Sequence, residues 1–262
     1  MKKFVTMCLV VAGFWVLGSV SNAANIQWTD GGGDHLWGNP ANWDVGAVPT
    51  LADEVRIDVP AAAAPNGPLI QAGIDAKALG LFTEAPGDPT LTMTGGSLEV
   101  ADWVWWGDGD RSYGIWTMSG GTVTVTNEFE LGWGGGAGTL NMTGGTITAG
   151  TFKVPTGSGA FAKAFLYGGT FNVTKLGGLD FGNVNGLMDI TVGRLVLEGD
   201  ARAKLAGLIA AGQILGYGGT GAVLYDYGIT IPGKTTVTAI PEPATICLLG
   251  LGGLALRRRR RA

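Results

Sequence analysis

Apolar and polar residues alternate along much of this chain, and paired glycines interrupt the alternation at a fixed interval. The pattern apolar-x-apolar-x-Gly-Gly-x-apolar appears as Leu91-Thr92-Met93-Thr94-Gly95-Gly96-Ser97-Leu98. It returns as Trp116-Thr117-Met118-Ser119-Gly120-Gly121-Thr122-Val123, and again as Leu140-Asn141-Met142-Thr143-Gly144-Gly145-Thr146-Ile147. A weaker copy is Phe165-Leu166-Tyr167-Gly168-Gly169-Thr170-Phe171, and a degraded one is Met188-Asp189-Ile190-Thr191-Val192-Gly193-Arg194-Leu195. The second glycine falls at 96, 121, 145, 169 and 193, in steps of 25, 24, 24 and 24. Self-similarity at such a period marks stacked units, each unable to bury its apolar side alone.

Each unit reads as three short strands. The first precedes the glycine pair (Leu140, Met142), the second follows it (Val123, Val125), and the third ends in a glycine turn (Phe129, Leu131, Gly132). Alternation sends every second side chain to one side. Stacked rungs would set each inward Met, Val or Leu about 4.8 Å from its copy in the next rung. The glycine pair suits a bend at positive φ. The class is all-β, and residues 81–199 predict a parallel β-helix, a β-solenoid of about five coils with a ~24-residue period. The rival is an antiparallel sandwich with hairpin spacing, which seldom keeps so constant a step.

Open ends of a stack expose strand edges, so both flanks should act as caps. Residues 24–80 hold a Trp/Gly/Asn block with Trp28, Gly31-Gly32-Gly33, Trp37, Asn42-Trp43 and Val48-Pro49. In the C-terminal cap, 200–240, Asp200 is placed to N-cap a helix over 200–212, with Leu205, Leu208 and Ile209 on one face and Gly212 as its stop. Two strands, 223–227 and 235–240, should follow it.

Charge changes the picture less than the repeat does. Residues 24–240 carry 10 Lys/Arg against 20 Asp/Glu, a net charge of −10. An acidic body argues against nucleic acid as a partner, since phosphate binding needs a basic face. Both cysteines, Cys8 and Cys247, lie at the ends of the chain, so the body has neither a structural disulfide nor a thiolate metal site.

The ends themselves read as addresses. Lys2 and Lys3 precede an apolar stretch, and Ser21-Asn22-Ala23 fits a small-x-Ala cleavage site, so 1–23 is expected to be a signal peptide. At the other end stand Pro241-Glu242-Pro243, then an uncharged run over 244–256, then Arg257, Arg258, Arg259, Arg260 and Arg261. As a helix this run is about 20 Å long, short for a hydrocarbon core of about 30 Å, and the arginines predict a cytoplasmic C-terminus. An ordinary membrane anchor is the alternative reading of this tail.

The tail, 241–262, closely resembles the PEP-CTERM sorting signal of Gram-negative and related bacteria. That resemblance implies an exosortase as partner, together with export machinery. It also implies transient attachment to the inner membrane through the tail, removal of the tail, and release to the cell surface or exterior. The Trp/Asn block and the stretch around Gly199-Asp200 and Gly233-Lys234 resemble the flanks of secreted repeat proteins with such tails. The Gly-rich repeats resemble autotransporter solenoids.

Candidate chemistry is sparse. One histidine, His35, stands beside Asp34 and Trp37, which leaves no Ser-His-Asp triad and no His-rich metal site. Gly107-Asp108-Gly109-Asp110 offers Asp108 and Asp110 as a weak Ca²⁺ candidate, without the further ligands of an EF-hand loop. The glycines at 132–136 lack the Lys-Ser/Thr of a phosphate loop. Two sequons, Asn141-Met142-Thr143 and Asn172-Val173-Thr174, are cheap matches in a repeat rich in Asn and Thr.

One surface constellation stands out. If Val104, Trp106, Phe129 and Leu131 point inward, Trp103 and Trp105 point outward. Glu128 and Glu130 then take the same places one rung later, and Thr151 and Lys153 two rungs later. Two exposed indoles some 7 Å apart over two carboxylates suit contact with a glycan, and an inverted register would bury them instead. Same-strand glutamates do not straddle a bond as a glycosidase pair does. The expectation is a non-enzymatic, cofactor-free structural or adhesive protein of a bacterial envelope or exopolysaccharide matrix. A carbohydrate-binding module is the alternative, and a polysaccharide lyase or hydrolase a weaker one.

Overall fold

The computed structural model describes residues 23–58 and 67–242. All of the expected signal peptide except Ala23, and the tail from Pro243 with its apolar run and five arginines, lie outside the described residues. Among the described residues no helix is long and apolar enough to cross a membrane.

In chain order the strands are β1 (Ala24–Gln27), β2 (Asp53–Arg56), β3 (Leu69–Ile70), β4 (Asp75–Phe82), β5 (Thr90–Trp106) and β6 (Tyr113–Leu131). Then come β7 (Ala137–Met142), β8 (Thr146–Lys153), β9 (Phe161–Leu166), β10 (Thr170–Val173), β11 (Leu179–Asp180), β12 (Gly186–Ile190) and β13 (Arg194–Glu198). The helix α1 (Arg202–Ala210) precedes β14 (Ile214–Gly216), β15 (Gly221–Tyr227) and β16 (Lys234–Pro241).

The strands stack in parallel on three faces. The first face runs from β3 through the starts of β5 and β6 to β7, β9, β12 and β14. The second joins β4, the middles of β5 and β6, β8, β10 and β13. The third joins β1, β2, the ends of β4, β5, β6 and β8, and β11. Strands one period apart pair in parallel, which rules out the hairpin sandwich.

Alternation builds the interior. Leu91, Trp116, Leu140, Ala164 and Met188 form one inward column, and Leu98, Val123, Ile147, Phe171 and Leu195 another. On the third face Ile26, Val55, Leu81, Val104, Phe129, Phe152 and Leu179 follow one another, all buried. Volume is traded within a coil. The coils that carry Phe152 and Phe171, stacked at 4.1 Å, also carry the inward alanines Ala149 and Ala164. Such exchange keeps an interior at close-packed density.

The glycine corners lie directly over one another. Gly96, Gly121, Gly145 and Gly169 all take positive φ, from 67° to 87°. A Cβ on Gly121 would sit 2.6 Å from the carbonyl oxygen of Gly95, one on Gly145 2.7 Å from that of Gly121, and one on Gly169 2.6 Å from that of Gly145. Backbone meets backbone there, and no side chain fits.

The solenoid has about six turns, one more than the repeat pattern predicts. The additional coil is made by β3 and β4, whose corner is Gln71-Ala72-Gly73-Ile74 rather than a glycine pair. Gly73 supplies the positive φ at 87°, and nothing lies within 4 Å of the place its Cβ would occupy. With no coil stacked against that position, a second glycine is unnecessary.

At the start of the chain Trp28, Trp37 and Trp43 pack edge to face with centroids 5.0 and 4.8 Å apart. Buried Asn42 ties the surrounding loop together, accepting from Gly32 and donating to Asp34 and Leu36. At the other end β15 and β16 are antiparallel, and they bridge β14 on the first face to β13 on the second. The helix α1 buries Leu205, and Gly212 follows it with φ 72°. Its N-cap position is taken by Ala201 rather than Asp200. From one residue earlier the Asp200 carboxylate still accepts from the Arg202 backbone amide at 3.2 Å, and it pairs with the Arg202 guanidinium at 2.7 Å.

Gly121→Ala and Gly73→Ala separate the two costs at a corner. Both substitutions impose positive φ on a residue with a Cβ, which costs roughly 1–2 kcal/mol. Only Gly121→Ala also drives a Cβ into backbone. We expect urea unfolding to show a loss of about 1 kcal/mol for Gly73→Ala and at least about 3 kcal/mol for Gly121→Ala. Equal losses would remove the stacked-corner argument.

Candidate functional site

The outward positions of the third face bring aromatic and charged side chains together. The ladder pairs Trp103 with Glu128 and Trp105 with Glu130, then Glu128 with Thr151 and Glu130 with Lys153, and finally Lys153 with Asp180. The inward partners Val104, Trp106, Phe129 and Leu131 are fully buried, so the register is not inverted. Trp103, Trp105, Glu128 and Glu130 therefore share one surface.

Their arrangement differs from simple alternation in one respect. The indoles of Trp103 and Trp105 stack on each other with centroids 4.1 Å apart and planes at 20°, rather than standing some 7 Å apart. Trp103 leans over Gly80 of the coil below, where a Cβ would meet its ring at 2.6 Å, and its ring lies 5.7 Å from that of Phe82. Gly80 makes the room for this tilt. Trp103 is thus half-buried, and Trp105 is the outer indole at 36 % exposure. Trp105 Nε1 donates to Glu128 Oε1 at 3.1 Å, which fixes the ring.

Lys153, Trp133 and Thr156 complete the group. Lys153 Nζ forms an ion pair with Glu128 and lies 4.0 Å from Glu130. Glu130 is 2 % exposed. Its Oε1 accepts from the Thr156 hydroxyl and, at 3.3 Å, from the Thr156 amide. Trp133 projects from the turn after β6 at 51 % exposure. Trp105, Glu128, Glu130, Trp133 and Lys153 line an open cleft with about 350 Å³ of empty space. The repeat step placed Lys153 in this column, but nothing in the sequence singled out Thr156. Trp133 follows Leu131-Gly132 directly, and that position next to the turn was its only signal.

Burial pushes the Glu130 carboxyl up to about 7, with the Glu128 charge adding to the rise and Thr156 and Lys153 opposing it. The Lys153 ammonium is held above its ordinary value: burial disfavours its charge, but Glu128, Glu130 and Asp180 outweigh burial. Two carboxylates on one strand face any bound chain from the same side. The Glu128 carboxylate, partly exposed, can accept hydroxyl hydrogen bonds.

The other candidates stand apart. Asp108 lies in the turn between β5 and β6, with its carboxyl raised by burial and by the nearby Glu84 charge. Asp110 beside it is exposed, 3.9 Å from Arg111. Among the described residues no three His, Cys, Asp or Glu side chains converge to hold a metal ion. His35 Nδ1 contacts Asp30 Oδ2 at 2.7 Å, within the loop that carries Asn42. Asp34 in that loop is held below the usual carboxylate range by the Leu36 amide and by Asn42.

The end of the chain bears on export rather than on the cleft. Pro241 closes β16 opposite Gly221, and Ile240, Pro241 and Glu242 are exposed. Residues 239–261 match the family model of the PEP-CTERM protein-sorting motif. The chain carries this sorting motif. It is the recognition signal of exosortase, and it implies sorting of an exported protein that is processed at the membrane. No curated protein and no solved structure matches the chain.

Glu130 also sets a pH dependence of stability. Its carboxyl stays protonated in the folded state to about pH 7, whereas in the unfolded chain it ionises near 4.5. Between these values the unfolded state binds fewer protons, so stability falls as pH rises through that window. The loss reaches at most about 3 kcal/mol. We expect urea unfolding at pH 5 and pH 8 to show this fall in the parent chain and a much flatter profile in Glu130→Gln. Equal slopes would mean that Glu130 ionises normally.

Proposed function

We propose that this chain is an exported structural or adhesive component of a bacterial envelope or exopolysaccharide matrix, delivered to the cell surface or medium by exosortase and acting without catalysis. The observation that carries the reading is the position of the sorting motif. Its match begins at residue 239, inside the last strand, and its exposed Pro241 and Glu242 follow at once. A cut just beyond them would leave all three faces whole.

The fold suits a passive role. About six turns joined by parallel backbone ladders make a stiff body. A Gly-cornered solenoid of autotransporter-like build presents long, regular outer columns to its surroundings. The net charge of −10 over 24–240 keeps such bodies apart in solution.

Mass spectrometry of the protein recovered from cells and medium tests the proposal in a host that has an exosortase. We expect the surface or medium fraction to end near residues 241–243 and to begin near residue 24. A host without exosortase should retain the tail. Full-length chain in the medium, or the same product in both hosts, would contradict it.

A further inference from the structure

The cleft on the third face combines fixed aromatic surface, open space and the partly exposed Glu128 carboxylate. We propose that Trp105, Trp133, Glu128 and Glu130 form a binding site for a neutral polysaccharide.

Trp105 offers one face of its indole, because the other is packed on Trp103 and its Nε1 is held by Glu128. Trp133 also lines the cleft, from the turn after β6, and is half exposed. Sugar rings present apolar C–H faces that pack on fixed indoles. Two such surfaces lining one cleft offer more than one place for a sugar ring to pack. Hydroxyls would find an acceptor in Glu128, which is partly exposed and whose oxygens keep lone pairs beyond those used by Trp105 and Lys153. One oxygen of Glu130 is taken by Thr156. The other is engaged by the Glu128 carboxyl, with Lys153 at 4.0 Å, so Glu130 backs the cleft and holds Glu128 and Lys153 in place.

Charge selects the class of glycan. Lys153 is the cation of the cleft, and it is already paired with Glu128. Glu130 and Asp180 flank it in the same ladder column. A uronate or sulfate group would meet the Glu128 charge, and the ammonium of Lys153 is already held by Glu128, Glu130 and Asp180, so an acidic polysaccharide is disfavoured. The proposal shares with the matrix reading only the setting in which polysaccharide is met. Binding itself requires neither export nor processing.

The test uses the full chain purified in mild detergent and run on native gels. The gels contain mixed-linkage glucan, galactomannan, arabinoxylan or dextran in one set, and alginate or polygalacturonate in the other. We expect retardation in at least one neutral gel. Trp133→Ala and Trp105→Ala should each weaken it about tenfold. Trp133 is half exposed, so its replacement should leave the fold intact, as circular dichroism and the melting profile would show. Glu128→Gln frees Lys153 and should bring alginate binding up relative to the neutral gels. No retardation in any neutral gel, stronger retardation of the parent chain by the acidic polymers, or unchanged retardation in both tryptophan variants would overturn the proposal. Because the chain is assayed unprocessed, failure here leaves the sorting result untouched, and the reverse holds too.

Discussion

Close contact between stacked glycine corners governs this molecule. Parallel ladders fix neighbouring rungs about 4.8 Å apart. At that distance a corner turning through positive φ sets its Cα against the carbonyl of the corner beneath, as Gly121 does on Gly95 and Gly145 on Gly121. A methyl group at either place would have to push the coils apart and stretch the hydrogen bonds on the two faces that meet there. The glycine column thus keeps the coils in register, and the interior columns depend on that register. The aromatic interior, from Trp106 and Trp116 through Phe129 to Phe152 and Phe171, packs edge to face, tilted or stacked because each ring arrives at a set height.

The same register organises the outer surface. Residues one period apart in sequence become neighbours in space, so Trp105, Glu130, Lys153 and Asp180 form one outward column. A solenoid can therefore assemble a chemical site from residues spread over four coils without any loop designed to hold it. The electrostatics follow from the ladder as well. Glu130 lies between an indole below and an ammonium above, under a threonine from the next turn, and it loses its water. Desolvation then dominates over the nearby cation, and its carboxyl stays protonated toward neutral pH.

The two ends are built differently. The first carries a tryptophan cluster and a loop tied by Asn42. The last reverses strand direction, and the antiparallel β15–β16 pair joins two faces that parallel coils would leave open. The sorting motif begins inside β16, at residue 239, so its first residues still pair with β15.

Much of this was legible in the chain alone. The 24-residue step, the three strands per coil and the inward set Val104, Trp106, Phe129 and Leu131 come from periodicity, which is a local property of sequence. The sorting tail is a linear motif and needs no fold to be read. The coil at Leu69 was hidden, because only a corner with another coil stacked against it requires the second glycine, and Gln71-Ala72-Gly73-Ile74 has no such neighbour on that side. Tertiary structure alone decided the rest. The tilt of Trp103 over Gly80, the pairing of Lys153 with Glu128 rather than Glu130, and the shifted Glu130 carboxyl depend on which side chains meet across coils and how much water they exclude. Spacing can name the column a residue occupies, but only packing against its neighbours fixes the direction and charge of its side chain.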